Sequence, residues 1–196
     1  MGLDILITLR SKKMFRYKKI IWLISLFTLL TGGCVRIGWW YFSPNPSDFP
    51  LPENFFPETA QVSKIYDSRD GDPSTQTSIQ NIFFQDGYVN GKFDAAGYSV
   101  IEFHYSRQAK KRFESDIAWW AEKHDYDAIS AEINWAERYY VACGYDITES
   151  RDCVFQGQYR NFMFFFSSNV GDFFTLEEFL DVVYYIDEMA GEGIMQ

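Results

Sequence analysis

Residues 162–166, Phe162-Met163-Phe164-Phe165-Phe166, are apolar at every position. An extended segment turns successive side chains to opposite faces, so this run is apolar on both and cannot be a solvated edge. It predicts the central strand of a sheet. The residues around it supply partners. Residues 139–145 and 154–159 are rich in β-branched and aromatic residues, and Arg160-Asn161 marks a tight turn into the central run.

The first half reads in a similar order. Residues 60–66 and 78–84 are short and β-rich, and Asp67-Ser68-Arg69-Asp70-Gly71-Asp72-Pro73 between them is turn-forming. Asp86-Gly87 and Asn90-Gly91 are both hairpin dipeptides. Residues 98–106 alternate, with Ile101, Phe103 and Tyr105 on one face and Val100, Glu102, His104 and Ser106 on the other. Residues 108–123 then take helical period, with Phe113, Ile117 and Trp120 on one stripe and Lys110, Lys111, Glu114 and Glu122 on a charged face. Residues 127–135 fit helix or strand equally and stay open.

A second helix follows Thr175, whose hydroxyl can cap it while Glu178 returns the bond. Leu176, Phe179, Leu180, Val183 and Ile186 form its apolar stripe, with Asp187 at the edge. The order predicts an α+β fold: an antiparallel sheet with two main helices packed on one face, a two-layer sandwich. The repeated β-β-α order suggests a degenerate duplication.

Before the domain comes a basic segment (Lys12, Lys13, Arg16, Lys18, Lys19), an apolar run over residues 20–30 and then Thr31-Gly32-Gly33-Cys34. This has the three-part layout of a secretory signal. Residues 14–34 resemble a bacterial lipoprotein signal, which implies that Cys34 is acylated and becomes the mature N-terminus. The absence of aspartate at Val35 resembles lipoproteins sorted to the outer of two membranes. The competing reading is an uncleaved single-span anchor over residues 20–41, with Trp39, Trp40 and Tyr41 as its interfacial belt. Both readings leave the lysines inside and export everything after Trp40.

Five of the six prolines fall within residues 43–58, which predicts an extended tether. The expected organisation is therefore a signal or anchor over 1–33, a lipid-attachment cysteine and tether over 34–58, and one globular domain over 59–196. Setting Cys34 aside leaves Cys143 and Cys153 as an even pair in an oxidising compartment, which predicts a disulfide across a hairpin.

Residues 1–33 hold six of the 18 basic and one of the 27 acidic residues, leaving 12 against 26, a formal charge of −14. Such a surface repels nucleic acid and anionic headgroups, so the N-terminal segment must supply membrane attachment. Motif searches are negative for chemistry. There is no G-x-S-x-G elbow, no S-x-x-K after Cys34, no H-E-x-x-H, no phosphate loop and no dinucleotide fingerprint, and nothing calls for a cofactor. Glu102 and His104 share a predicted strand face and form the nearest thing to an acid/base pair. His124 sits at a helix end, where a cation meets the dipole favourably. Asp67, Asp70 and Asp72 are weak metal candidates, because the bidentate glutamate of a calcium loop is missing.

Aromatic residues make up 19% of the chain and include Trp119-Trp120, Tyr139-Tyr140 and Tyr184-Tyr185, pairs that place rings on both faces of their elements. Trp119, Tyr139 and Tyr184 are the candidate ligand-binding rings. The expected function is a non-catalytic, lipid-anchored envelope domain that binds a partner protein or small ligand through an aromatic-lined face or groove. The alternatives are an envelope hydrolase using Glu102 and His104 or the acidic loop, and a structural component of a membrane complex.

Overall fold

The computed structural model describes residues 44–64, 66–68, 75–89, 92–123, 126–145 and 151–196. Cys34, His124, Asp70 and Asp72 lie outside them. Eight antiparallel strands build one sheet: β1 (Ala60–Val62), β2 (Tyr66–Ser68), β3 (Thr75–Val89), β4 (Lys92–Phe103), β5 (Asp127–Ala128), β6 (Arg138–Tyr145), β7 (Arg151–Tyr159) and β8 (Phe162–Val170). The spatial order is β1-β3-β4-β8-β7-β6-β5, with β2 also on β3. The apolar run 162–166 thus lies in the sheet's interior, between β4 and β7.

Two helices cover this strand, α1 (Ser106–Lys123) and α2 (Leu176–Ala190). Phe162, Phe164 and Phe166 join a core with Phe179, Val182, Val183 and Ile186 of α2. The intervening Met163 packs with Ala109 and Phe113 of α1, and Phe165 with Trp120 of the same helix. Because alternate residues of one strand meet different helices, the helices lie on opposite faces. The expected single-faced, two-layer arrangement is corrected to three layers, helix, sheet and helix. A two-fold relating the antiparallel neighbours β4 and β8 would run perpendicular to the sheet and leave both helices on one face, so the suggested β-β-α duplication is not a symmetric one either.

Residues 44–58 are the second correction. They are no free tether but a strap across the α2 side of the sheet, within the unit Pro44–Gln196. Phe49 sets its ring edge-on to Phe162 and Phe164, and Phe56 packs on Phe84, Phe166 and Phe174. Asn45 and Asp48 close a capping box around the short turn Pro46–Asp48. Two buried polar side chains then hold the strap down. Gln80 accepts from the Leu51 N–H at 2.9 Å and donates to the Leu51 carbonyl at 3.1 Å, replacing the strand that the prolines forbid. The Tyr98 hydroxyl donates to the Phe49 carbonyl at 2.9 Å.

Local expectations fare unevenly. The capping box of Thr175 and Glu178 forms, with the Glu178 N–H donating to the threonine hydroxyl and the Thr175 N–H to the Glu178 carboxylate. Val89 and Lys92 pair across Asn90-Gly91 as a two-residue hairpin should. Asp86-Gly87, by contrast, makes no turn. It falls inside β3, where the register with β4 shifts between Phe83 and Tyr88. The helix expected from residue 108 begins at Ser106, and β4 ends at Phe103. Arg160 adopts φ 54° to make the turn between β7 and β8. Residues 127–135 become the two-residue strand β5 and then irregular chain.

Cys143 and Cys153 face each other in the β6–β7 register and form a disulfide, with Cα atoms 4.1 Å apart. Closing this loop of about ten residues contributes about 2–3 kcal/mol by restricting the unfolded chain.

The strap predicts a measurable penalty. Gln80→Leu keeps the side chain's bulk but strands a buried N–H and a buried carbonyl of Leu51. Urea unfolding followed by tryptophan fluorescence is expected to show a loss of about 2–3 kcal/mol. A loss below about 0.5 kcal/mol would mean that the strap is not held by this pair.

Candidate functional site

Two regions of the described surface bring chemistry-bearing side chains together. The first is centred on Asp187, which is 2% exposed despite its charge. Helical period places it beside Ile186 and Val183, so α2 carries it inward rather than to the edge of its stripe. Its carboxylate accepts from the backbone N–H groups of Asn134 (2.7 Å), Trp135 (3.2 Å) and Ala136 (3.1 Å), and from the Tyr159 hydroxyl (2.9 Å). Charged hydrogen bonds of this kind offset the cost of burying the carboxylate. They also give the irregular segment after β5 the backbone partners that a strand would have supplied.

Above Asp187 lies a shallow depression of about 300 Å³, lined by Glu132, Asn134, Tyr184, Asp187 and Glu188. Its rim is acidic. Held by three backbone N–H groups and the Tyr159 hydroxyl, Asp187 acts as an anchor for the loop. No group of His, Cys, Asp and Glu among the described residues is arranged to hold a metal ion.

The structure does not gather the three candidate rings into one site. Tyr184 sits in the acidic depression on α2. Tyr139 shares the α2 side of β6 with Val141 and Cys143, and its hydroxyl donates to the Ala131 carbonyl at 3.3 Å. Trp119 lies on α1, beyond the opposite face, edge-on to Trp120 at 4.7 Å. Segment 131–136 links the first two, while the third belongs elsewhere.

Glu102 and His104 also part company. The strand ends between them, so the predicted shared face does not exist. Glu102 accepts from Asn161 Nδ2 at 3.4 Å, whereas His104 is exposed and edge-on to Tyr105 at 4.4 Å. Asp67 falls in β2, and its side chain, like Asp70 and Asp72, lies outside the described residues.

The remaining region is a sheet face that no single strand reveals. Helix α1 covers its face around Ile101, Phe103, Met163 and Phe165 and, through Trp120, around Tyr140, Ala142 and Val154. At the margin of this cover register aligns Phe165 with Ser99 and Ile79 across β8, β4 and β3, and beyond it come Asn81, Gly97 and Ser167, then Phe83 beside Ala95. Phe83 is 48% exposed, and the others, Phe165 included, are half-buried, as befits an open sheet surface. At one end Phe165 stacks under Trp120 at 6.1 Å, and Trp120 in turn carries Trp119, which is 47% exposed. Tyr126 stacks on Trp120 at 5.5 Å and donates its hydroxyl to Asp152 at 3.0 Å, fixing that aromatic wall.

Comparison with family models, with curated proteins and with solved structures finds no match to this chain.

Burial dictates how the core responds to base. Desolvation, and then the Asp187 charge, raise Tyr159 above the usual phenol range, and desolvation followed by Tyr185 raises Tyr98. A phenol whose folded pKa exceeds its unfolded value of about 10 contributes stability that is fully present below that pH and lost above it. The urea midpoint is expected to hold from pH 8 to about pH 10 and fall steeply beyond. In Tyr159→Phe the plateau drops by about 1–3 kcal/mol and the alkaline slope becomes shallower. An unchanged slope would show that Tyr159 does not titrate on unfolding.

Proposed function

We propose that this chain is an extracytoplasmic, membrane-anchored domain that binds a ligand or partner of the cell envelope and performs no chemistry of its own. The observation that carries the binding role is the uncovered half-face of the sheet, with small polar residues on its floor and rings at its ends. The compartment rests on the disulfide, which belongs to an oxidising environment. Attachment rests on the basic and apolar segment that ends at Cys34 and resembles a lipoprotein signal. No helix among the described residues is long and apolar enough to cross a membrane, so attachment falls to that segment.

The strap shortens the tether. With residues 44–58 committed to the sheet, at most residues 34–43 separate a lipidated Cys34 from the domain, and ten residues reach no more than about 33–36 Å. A body held this close would meet ligands at the membrane surface rather than sweep a large volume.

Intact mass of the protein extracted from native membranes tests the reading. The expected result is a chain starting at Cys34 with a diacyl or triacyl increment, a two-dalton gain on reduction, and loss of the increment in Cys34→Ala. An uncleaved, lipid-free chain would replace the lipoprotein with the single-span anchor. A reduced chain recovered from the cytosol would overturn the reading altogether.

A further inference from the structure

We propose that the uncovered half-face binds a neutral saccharide chain, an inference that names the ligand of the binding domain proposed above and rests on that reading. Its starting point is Gly97. Glycine inside a strand weakens it, and occurs where the strand bulges or where a ligand or another backbone comes close. Gly97 itself pairs in regular register with Asn81 and Ser167, and the shift between β3 and β4 comes only beyond Ala95, so Gly97 is not the bulged residue. Packing does not demand it either. A Cβ placed there would meet only the Ser167 hydroxyl oxygen, at an ordinary 3.6 Å. What the missing side chain does is leave a trough in the middle of the face.

The chemistry around that trough is selective. Asn81, Ser99 and Ser167 bring amide and hydroxyl groups, and Ile79, Phe83, Ala95 and Phe165 bring apolar surface. None of these residues is charged, in a chain of net charge −9 with 23% charged residues. Among the described residues around the trough the nearest charge is Asp152, already engaged by Tyr126, and cations would go first to acidic surfaces such as the rim formed by Glu132 and Glu188. A sugar chain matches both components. Its hydroxyls exchange hydrogen bonds with Ser99 and Ser167, and its C–H faces pack on rings. Phe83 and Phe165 stand at diagonal corners, about 17 Å apart from strand spacing and rise, with Trp120 and Trp119 extending the second corner.

Size argues against a protein occupant. Three strands by five residues present about 250 Å². A stable protein interface needs about 800 Å² on each partner. A second copy or a folded protein is therefore a poor fit, and a short stretch of glycan a good one.

The test is affinity electrophoresis of the full chain in detergent, in native gels containing neutral α-glucan, β-glucan or glycol chitin, with an anionic polysaccharide as control. Oligosaccharide titrations followed by tryptophan fluorescence give the affinities. The expected result is retardation by at least one neutral glycan and none by the anionic one. Phe83→Ala should weaken binding roughly three- to tenfold. Gly97→Gln, which fills the trough without a backbone clash, should abolish it, and an unchanged urea midpoint would show that both variants remain folded. No retardation by any neutral glycan, retardation by the anionic one alone, or binding that survives Gly97→Gln would overturn the inference. The mass measurement keeps the two failures apart: a lipidated, exported chain that ignores glycans refutes only the saccharide, whereas a cytosolic chain refutes the broader reading whatever the gels show.

Discussion

The fold depends on one strand that needs cover on both sides. Burying Phe162, Phe164 and Phe166 against α2 and the strap, and Met163 and Phe165 against α1, removes five large side chains from water along a single β8. The four fully buried ones each contribute about 1.5–3 kcal/mol and the half-buried Phe165 less, so together they outweigh any single hydrogen bond in the molecule. The three-layer order is the consequence, because neither helix alone can satisfy a strand whose alternate residues point in opposite directions. The remaining strands are arranged around that demand. β4 and β7 flank it and share its cores, while the short β1, β2 and β5 close the edges, where long unpaired strands would invite association.

What the sequence made legible was local. The Thr175 cap, the pairing of Val89 with Lys92, the turn at Arg160-Asn161, the disulfide and the central position of residues 162–166 all depend on neighbours in the chain or on one cross-strand pair. What it concealed was handedness and register. Helical period identifies the stripes Phe113-Ile117-Trp120 and Phe179-Val183-Ile186 but not the face each one meets. The clue was present in Met163 and Phe165, since a strand apolar on both faces is incompatible with helices on one. The proline-rich stretch misled for a related reason. Proline excludes regular helix and central strand, but it does not exclude packing, and Phe49, Leu51 and Phe56 between the prolines are the residues of a core.

The candidate site was less legible still. Trp119, Tyr139 and Tyr184 stand out as aromatic, yet they belong to different layers. The open face that unites Phe83 with Phe165 and Trp120 takes side chains from three strands, and only the register of β3, β4 and β8 reveals it. Asp187 shows the converse. Its place beside an apolar stripe is visible in the sequence, but its partners are backbone N–H groups of residues 134–136, which sequence reading cannot foresee.

These two regions differ in how far the protein has committed its polar groups. Around Asp187 the donors and acceptor are spent on one another, and burial keeps Tyr159 protonated as the fourth donor. That arrangement fixes a loop and leaves little to offer a ligand. On the opposite face Gly97 withholds a side chain, and the flanking residues are small, so the sheet forgoes packing that larger residues would supply. A fold that covers so much of its apolar surface, even to the extent of laying a proline-rich strap over one side, leaves Phe83 48% exposed on the other. An unfilled, uncharged surface beside a wall of stacked rings is intelligible as a place kept for something that arrives from outside.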